Sequence, residues 1–350
     1  MVTRWETRLA GAMVLALAAA GPVAAQELFD FRPVAPNVYF AYAKPEFFPI
    51  SANCNAVVVL LDDGVLVVDT HSRPSAAKIL IAQIRKVTSK PVRYVVDTHF
   101  HSDHYQGNEA YLSAWPATAE IISSELTKEA IEHIGIPRIK NEIATLPKEI
   151  AAKRDSLAGA TDSARRALSE RIANDERYLG ELRAMHVSLP TVTFDHSLVI
   201  RRPATTVQIL WLGRGHTDGD VVVYLPKERI IATGDLIHGG VPYMADGYPY
   251  DWIRTLDAVA QLDFDLALGG HGELLRGKEP FDVWEGYFKD LLASTADAYG
   301  AGASLEEATK EVAPGLVERW GSRFPAGNRL ERAVSGHIAK AYHVVSGETD

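Results

Sequence analysis

The sequence predicts a layered α/β fold in which two β-sheets pack face to face with helices on the outside. Three observations predict it. Short β-branched runs recur in both halves of the chain, and each half ends in segments of helical periodicity. A strand–helix–strand unit in the first half also implies a crossover between parallel strands. The 350 residues, 47% hydrophobic and 23% charged, suffice to build such a core.

In the first half, "NVYFAYA" (37–43), "NAVVVLL" (55–61) and "GVLVVDT" (64–70) read as strands, with "DDG" turning between the last two. "RPSAAKILIAQIRKVT" (73–88) spaces its apolar residues as a helix does, and "VRYVVDT" (92–98) is the next strand. The second series runs through "TVTF", "SLVIRR", "TVQILWLG" (206–213), "DVVVYLP" (220–226), "RIIATGD" (229–235) and "DLALGGHG" (265–272). Helices are expected at 251–262, 280–299, 304–313 and 327–345, so that about 300–346 forms a C-terminal helical segment.

Between the halves, about 124–187 is charged and helical. Ile139, Ile143, Leu146 and Ile150 mark one apolar face, and Leu168, Ile172, Leu179 and Leu182 a second. "AGATDS" (158–163) separates the two arms, Thr161 is placed to cap the second, and Pro147 is expected to kink or restart the first. This is an inserted helical hairpin, either a solvated elaboration or a lid or homodimerisation arm near a site.

Residues 1–25 combine Arg4 and Arg8, a short apolar run and a small-residue stretch ending at Ala25, the layout of a cleaved secretory signal. The expected product is a periplasmic or secreted domain, 30–350, with no stable membrane span. A net charge of −9 without a basic cluster speaks against nucleic acid and leaves a small molecule as the expected partner. The one cysteine, Cys54, opens an apolar run and reads as buried and inert.

The chemistry begins where strand 92–98 ends. His99 and His101, two apart on extended chain, point the same way and can converge on one ion, while Asp103 and His104 are displaced toward a second. With 12 histidines in the chain, H-x-H-x-D-H arises by chance in about one sequence in a thousand. His216, Asp235 and His271 each follow a predicted strand and have glycine neighbours that let backbone approach an ion.

The series "THFHSDH", "GRGHTDGD", "TGDLIHGG" and "GGHG", in this order, resembles the metallo-β-lactamase superfamily over roughly Asn37 to Gly272. The resemblance implies a four-layer αββα sandwich with two Zn2+ at one edge. It implies that His99, His101 and His216 bind the first zinc and Asp103, His104 and His271 the second. Asp235 would bridge them, and Asp69 would support a ligand from outside. One subgroup of β-lactamases has cysteine where this chain has Asp235, and an aspartate there is usual among thioesterases, lactonases and phosphodiesterases.

The expected activity is metal-dependent hydrolysis, in which a hydroxide held by the ions attacks a β-lactam, lactone or thioester-like carbonyl. Antibiotic catabolism is one setting for it. Asp103 would orient the nucleophile, and His238 either stabilises an oxyanion or binds a substrate carboxylate, or is a loop histidine touching nothing. Tyr243 and Tyr248, in "GGVPYMADGYPYDW" (239–252), are expected to wall the pocket, and Trp252 to pack under the following helix. The alternatives are a metallo-phosphodiesterase and, from other classes, an iron-dependent sulfur dioxygenase or a non-catalytic periplasmic metal-binding accessory protein.

Overall fold

A computed structural model describes residues 28–44, 54–324 and 329–348. The signal-sequence reading lies outside these residues. The first sheet holds seven strands in sequence order: β1 (Phe29–Ala35), β2 (Val38–Ala43), β3 (Ala56–Leu60), β4 (Val65–Val68), β5 (Val92–Val96), β6 (Glu120–Ser124) and β7 (Val192–Phe194). The second holds β8 (Ser197–Arg201), β9 (Thr206–Trp211), β10 (Val221–Leu225), β11 (Ile230–Gly234), β12 (Leu266–Gly269) and β13 (Leu275–Arg276), stacked in reverse order. Both are mixed. β4 to β7 run parallel, as do β11 and β12, and the remaining pairs are antiparallel.

Alternation along the strands decides what each face meets. Val57, Val59, Leu66 and Val68 turn inward against Val207, Ile209, Val221 and Val223 of the second sheet. Val58, Val65 and Val67, one residue out of phase, turn outward against Leu80, Ile81 and Ile84 of α1 (Pro74–Val87). Strands buried on both faces therefore read as unbroken valine runs. Leu80→Ala, which empties a fully buried site, is expected to cost about 2–5 kcal/mol, read as a lower urea midpoint at unchanged slope.

Two short helices follow β5: α2 (Ser102–Tyr105) and α3 (Asn108–Ala114). The inserted hairpin comes next. Its first arm is α4 (Glu125–Ala130), a π-helical turn at Ile131–Gly135, and α5 (Ile136–Asp155); its second is α6 (Asp162–Ala184). The widened turn ends two residues before Pro137, which has no N–H to give and whose ring crowds the preceding turn. Pro147 does not restart the arm, because α5 runs through it, and Thr161 occupies the cap position of α6 without a side-chain hydrogen bond. Leu146, Ile150, Ile172 and Leu179 pack between the arms, while Ile131, Ile139 and Leu182 join Phe100 and Tyr105 at the base. The hairpin is thus seated beside α2.

On the second sheet lie α7 (Pro249–Ala260) and α8 (Glu279–Gly300), which set Trp252, Leu256, Phe281 and Phe288 against Val222, Ile231 and Ala267. That completes helices, sheet, sheet and helices. α9 (Leu305–Trp320) begins in a Ser304–Glu307 capping box and continues through Pro314, past the expected end at 313. α10 (Arg329–Ser346) packs Leu330, Val334 and Ile338 into the same core. The sequence reading omitted β1, β6 and β13. β1 is an edge strand interrupted at Pro33, where the register shifts, and so lacks a clean period.

Candidate metal centre

Strand ends build the centre. After β5 the chain stays extended to His101 (φ −69°, ψ 143°) and then closes into the single turn of α2. This change of backbone sends His99 and His101 one way and Asp103 and His104 another. His216 follows β9 in the loop to β10, Asp235 follows β11, and His271 follows β12. All seven side chains meet at one edge of the sandwich.

They fall into groups able to hold metal ions. The ligand-type atoms of His99, His101 and His216 lie within 4.8 Å of one another, and so do those of Asp103, His104 and His271. Asp235 stands between the groups. Its Oδ1 is 3.6 Å from His104 Nε2, and its Oδ2 is 3.7 Å from His216 Nε2 and 3.2 Å from His271 Nε2.

Each of four imidazoles has one nitrogen already engaged. His104 Nδ1 donates to Asp69 Oδ2 at 2.8 Å, and His216 Nδ1 to the Tyr243 carbonyl at 3.0 Å. His99 Nδ1 lies 3.1 Å from the Thr98 hydroxyl, and His101 Nε2 donates to Asp246 Oδ2 at 2.8 Å. The other nitrogen of each ring is left for the centre. His99 Nε2, His104 Nε2 and Asp235 Oδ1 are buried without a hydrogen-bond partner, and His216 Nε2 faces His101 Nδ1 at 2.8 Å. An unmet buried polar atom costs about 1–3 kcal/mol. Cations set among these nitrogen and oxygen donors relieve that cost, and the donor set suits zinc and its first-row neighbours. The residues fit the metals that the sequence implies.

Asp69 is held in the left-handed region (φ 63°), as is His71 (φ 73°), and such strain in non-glycine residues clusters at functional sites. The Asp69 carboxylate also accepts from the Thr98 amide at 2.9 Å and the Thr98 hydroxyl at 3.0 Å, which fixes the His104 ring.

Electrostatics divides the centre's own titratable groups. Burial, reinforced by neighbouring histidines, holds His99 well below its ordinary range and His216 at about 3, so both rings are neutral. Burial also opposes charge on His104, but Asp69, Asp103 and Asp235 outweigh it and raise the ring to about 9. Asp103 falls to about 2 because His104 and His271 overcome the same burial. Burial makes the Cys54 thiol harder to ionise, and it donates to the Asp103 carbonyl at 2.9 Å, as an inert side chain would.

The profile of the metallo-beta-lactamase superfamily matches residues 51–271, which contain every one of these side chains. The chain belongs to that superfamily. Its members are mostly metal-dependent hydrolases. This member is similar to the linear primary-alkylsulfatase of Pseudomonas sp. (strain ATCC 19151), 26% identical over 251 residues, 67% of this chain and 43% of that protein. It is 24% identical to the alpha subunit of 2,4-dinitroanisole O-demethylase of Nocardioides sp. (strain JS1661), over 75% of this chain and 66% of the other. It is also 24% identical to the type 2 metallo-beta-lactamase of Bacillus cereus, over 63% of this chain and 67% of the other. The chain therefore spans less than half of the first of these proteins and about two thirds of the others. Among solved structures, a metallo-beta-lactamase from Pontibacter korlensis superposes with a TM-score of 0.53 at 16% identity, covering 75% of this chain and 99% of that one, which shows a shared fold.

In this superfamily member a cavity of about 850 Å³ opens onto Asp103, Asp235 and His271. Tyr243 lines it, half exposed, with its ring 5.6 Å from that of His101. Tyr248 does not line it; the Arg214 guanidinium lies 4.4 Å over its ring, at the start of α7. Trp252 is fully buried under α7 as expected, its indole N–H on the Leu236 carbonyl. His238 lines the cavity and, rather than touching nothing, meets the rings of Trp284 and His271 edge-on. Burial lowers it to about 4. Sequence reasoning missed Asp246, Arg138, Phe100 and Tyr105. The hint of Asp246 was a carboxylate inside an aromatic loop.

Proposed function

We propose that the protein is an exported dinuclear zinc hydrolase that cleaves a carbonyl substrate of the β-lactam, lactone or thioester kind. One observation carries the reading: Asp235 lies within 4 Å of nitrogens from both histidine groups while its Oδ1 and two facing nitrogens lack partners. Two ions bound there would supply Lewis acidity and a water acidic enough to serve as nucleophile near neutral pH. The chain's own groups do the rest. Asp103, on the cavity wall and 3.2 Å from His271 Nε2, orients the attacking water and takes its proton. His238, neutral, offers an N–H to a developing oxyanion. Tyr243, Val241 and Met244 face the apolar body of the substrate.

A second reading, cleavage of a sulfate ester, is favoured by the similarity to an alkylsulfatase over 67% of this chain. A panel of nitrocefin, a carbapenem, an acyl lactone, an acyl thioester, a phosphodiester and an alkyl sulfate separates the two. Turnover of a carbonyl compound is expected, reduced more than about 100-fold in His101→Ala, since loss of a direct ligand should exceed what outer partners cost. Turnover of the alkyl sulfate alone transfers the reading to sulfate esters. Protein purified without added metal is expected to hold about two zinc ions per chain. A single iron instead, or equal rates in His101→Ala, would end the hydrolase reading.

A further inference from the structure

The outer hydrogen bond of His101 leads away from the centre and into the inserted hairpin. Asp246 Oδ2, which accepts from His101 Nε2 at 2.8 Å, also accepts from Arg138 Nη1 at 2.9 Å, and Asp246 Oδ1 accepts from Arg138 Nη2 at 2.7 Å. Arg138 stands in the first turn of α5, one residue past Pro137. We propose that the hairpin is a working part of the metal centre: Arg138, through Asp246, is a positioning residue that holds His101 with Nδ1 turned to the ion. The inference rests on the metal reading above and deepens it.

Three features support the relay. The first is its geometry. A guanidinium fork on a carboxylate makes two charge-assisted bonds and fixes the plane of the acid, so the one oxygen that reaches His101 cannot swing away. The acid in turn fixes the tautomer of the ring and makes its free nitrogen a better donor. Exposure falls along the chain of contacts, from 53% for the Arg138 side chain to 20% for Asp246 and 13% for His101, so the relay runs from solvent into the centre.

The second feature is the register of the hairpin. Gly135 closes the π-helical turn against the hydroxyl of Tyr105, which a Cβ would approach to 2.6 Å, and Tyr105 belongs to the same turn as Asp103 and His104. The Arg138 guanidinium also lies 5.3 Å over the ring of Phe100, between the two ligands of the H-x-H pair. The third is the loop that carries Asp246. His216 Nδ1 binds the Tyr243 carbonyl and His337 Nε2 the Pro242 carbonyl at 2.9 Å, so the acid is presented from a segment whose preceding two carbonyls are tied to separate parts of the fold.

Metal uptake tests the relay without reference to turnover. Cobalt(II) binding to the full chain is followed by visible absorption, and zinc affinity by competition with a chromophoric chelator. Wild type is compared with Arg138→Ala, Arg138→Lys, Asp246→Ala, the double Arg138→Ala/Asp246→Ala, and Lys153→Ala, which removes the Lys153–Asp175 ion pair elsewhere in the hairpin. Arg138→Ala and Asp246→Ala are each expected to weaken affinity by about 10–100-fold and to alter the cobalt spectrum. Lysine, a single-point donor, should restore part of the loss. The double variant should be no weaker than Asp246→Ala alone, because Arg138 acts through Asp246, and Lys153→Ala should match wild type. Wild-type affinity and spectrum in Arg138→Ala, or losses that multiply in the double variant, overturn the relay alone. Wild-type protein that takes up no metal overturns the metal reading and the relay with it.

Discussion

Asp235→Ala is expected to remove hydrolysis almost completely and to lower the metal content of purified protein, while Asp235→Asn keeps the shape and loses nearly as much. The reason is position. Its carboxylate lies within 4 Å of ring nitrogens of His104, His216 and His271 at once. Loss of an outer partner typically costs a metal site about 10–100-fold, and loss of a group shared by both ion positions must exceed that. The carboxylate also matters before metal arrives. Burial works against its charge, but His271 and His104 hold it well below the ordinary value of 3.8. A depressed acid contributes stability that is present above its unfolded value and lost as the pH falls below it. The metal-free variant should therefore lose less stability on acidification from about pH 5 than metal-free wild type does. Wild-type rates and metal content in Asp235→Ala would refute the shared-ligand arrangement.

Gly107→Ala is expected to have the largest effect on folding of any single-methyl addition near the site. A Cβ there would stand 1.9 Å from the Thr70 carbonyl oxygen and 2.8 Å from the Ala77 Cβ. Backbone cannot step aside as a flexible side chain can. Thr70 is tied to the metal turn by its amide on the His104 carbonyl at 2.9 Å, and Gly107 by its amide on the His71 carbonyl at 3.0 Å. Relief of the clash must separate the strained Asp69–His71 segment from α2 and break both bonds. Overpacking of this kind costs about 1–3 kcal/mol or more, and roughly 2–4 °C of melting temperature per kcal/mol follows for a domain of 150–250 residues. The measurable result is a lower melting temperature together with a weaker metal site, because Asp69 moves with the segment. Gly336→Ala is the control: no atom lies within 4 Å of a Cβ there, and its melting temperature should stay near wild type.

Much of the fold was legible because its core strands are buried on both faces. A strand flanked by a sheet on one side and a helix on the other needs apolar residues at every position, and "VVVL" and "VLVV" announce that locally. Edge strands carry no such demand, so β1 and the two-residue β13 escaped notice, while β6 is interior but only five residues long, with serines at two of its positions. Pro314 resembled a stop and is not one, since packing of Leu316 against the C-terminal core outweighs the missing hydrogen bond. The pocket residues show the same divide. Tyr243 and Tyr248 are equivalent in sequence, yet the turn at Met244–Gly247 sends one over the histidines and the other under Arg214.

By itself the sequence determined the two-sheet architecture and the seven side chains of the centre. Both are encoded in short-range patterns: valine runs of strand length, a compressed H-x-H-x-D-H, and glycine-flanked residues at strand ends. Only the tertiary structure decided which nitrogen of each ring faces the centre and that Arg138 reaches His101 through Asp246. The last of these joins residues more than a hundred positions apart. No local periodicity records such a pairing, because it exists only once the sheets have closed and the hairpin has seated on α2.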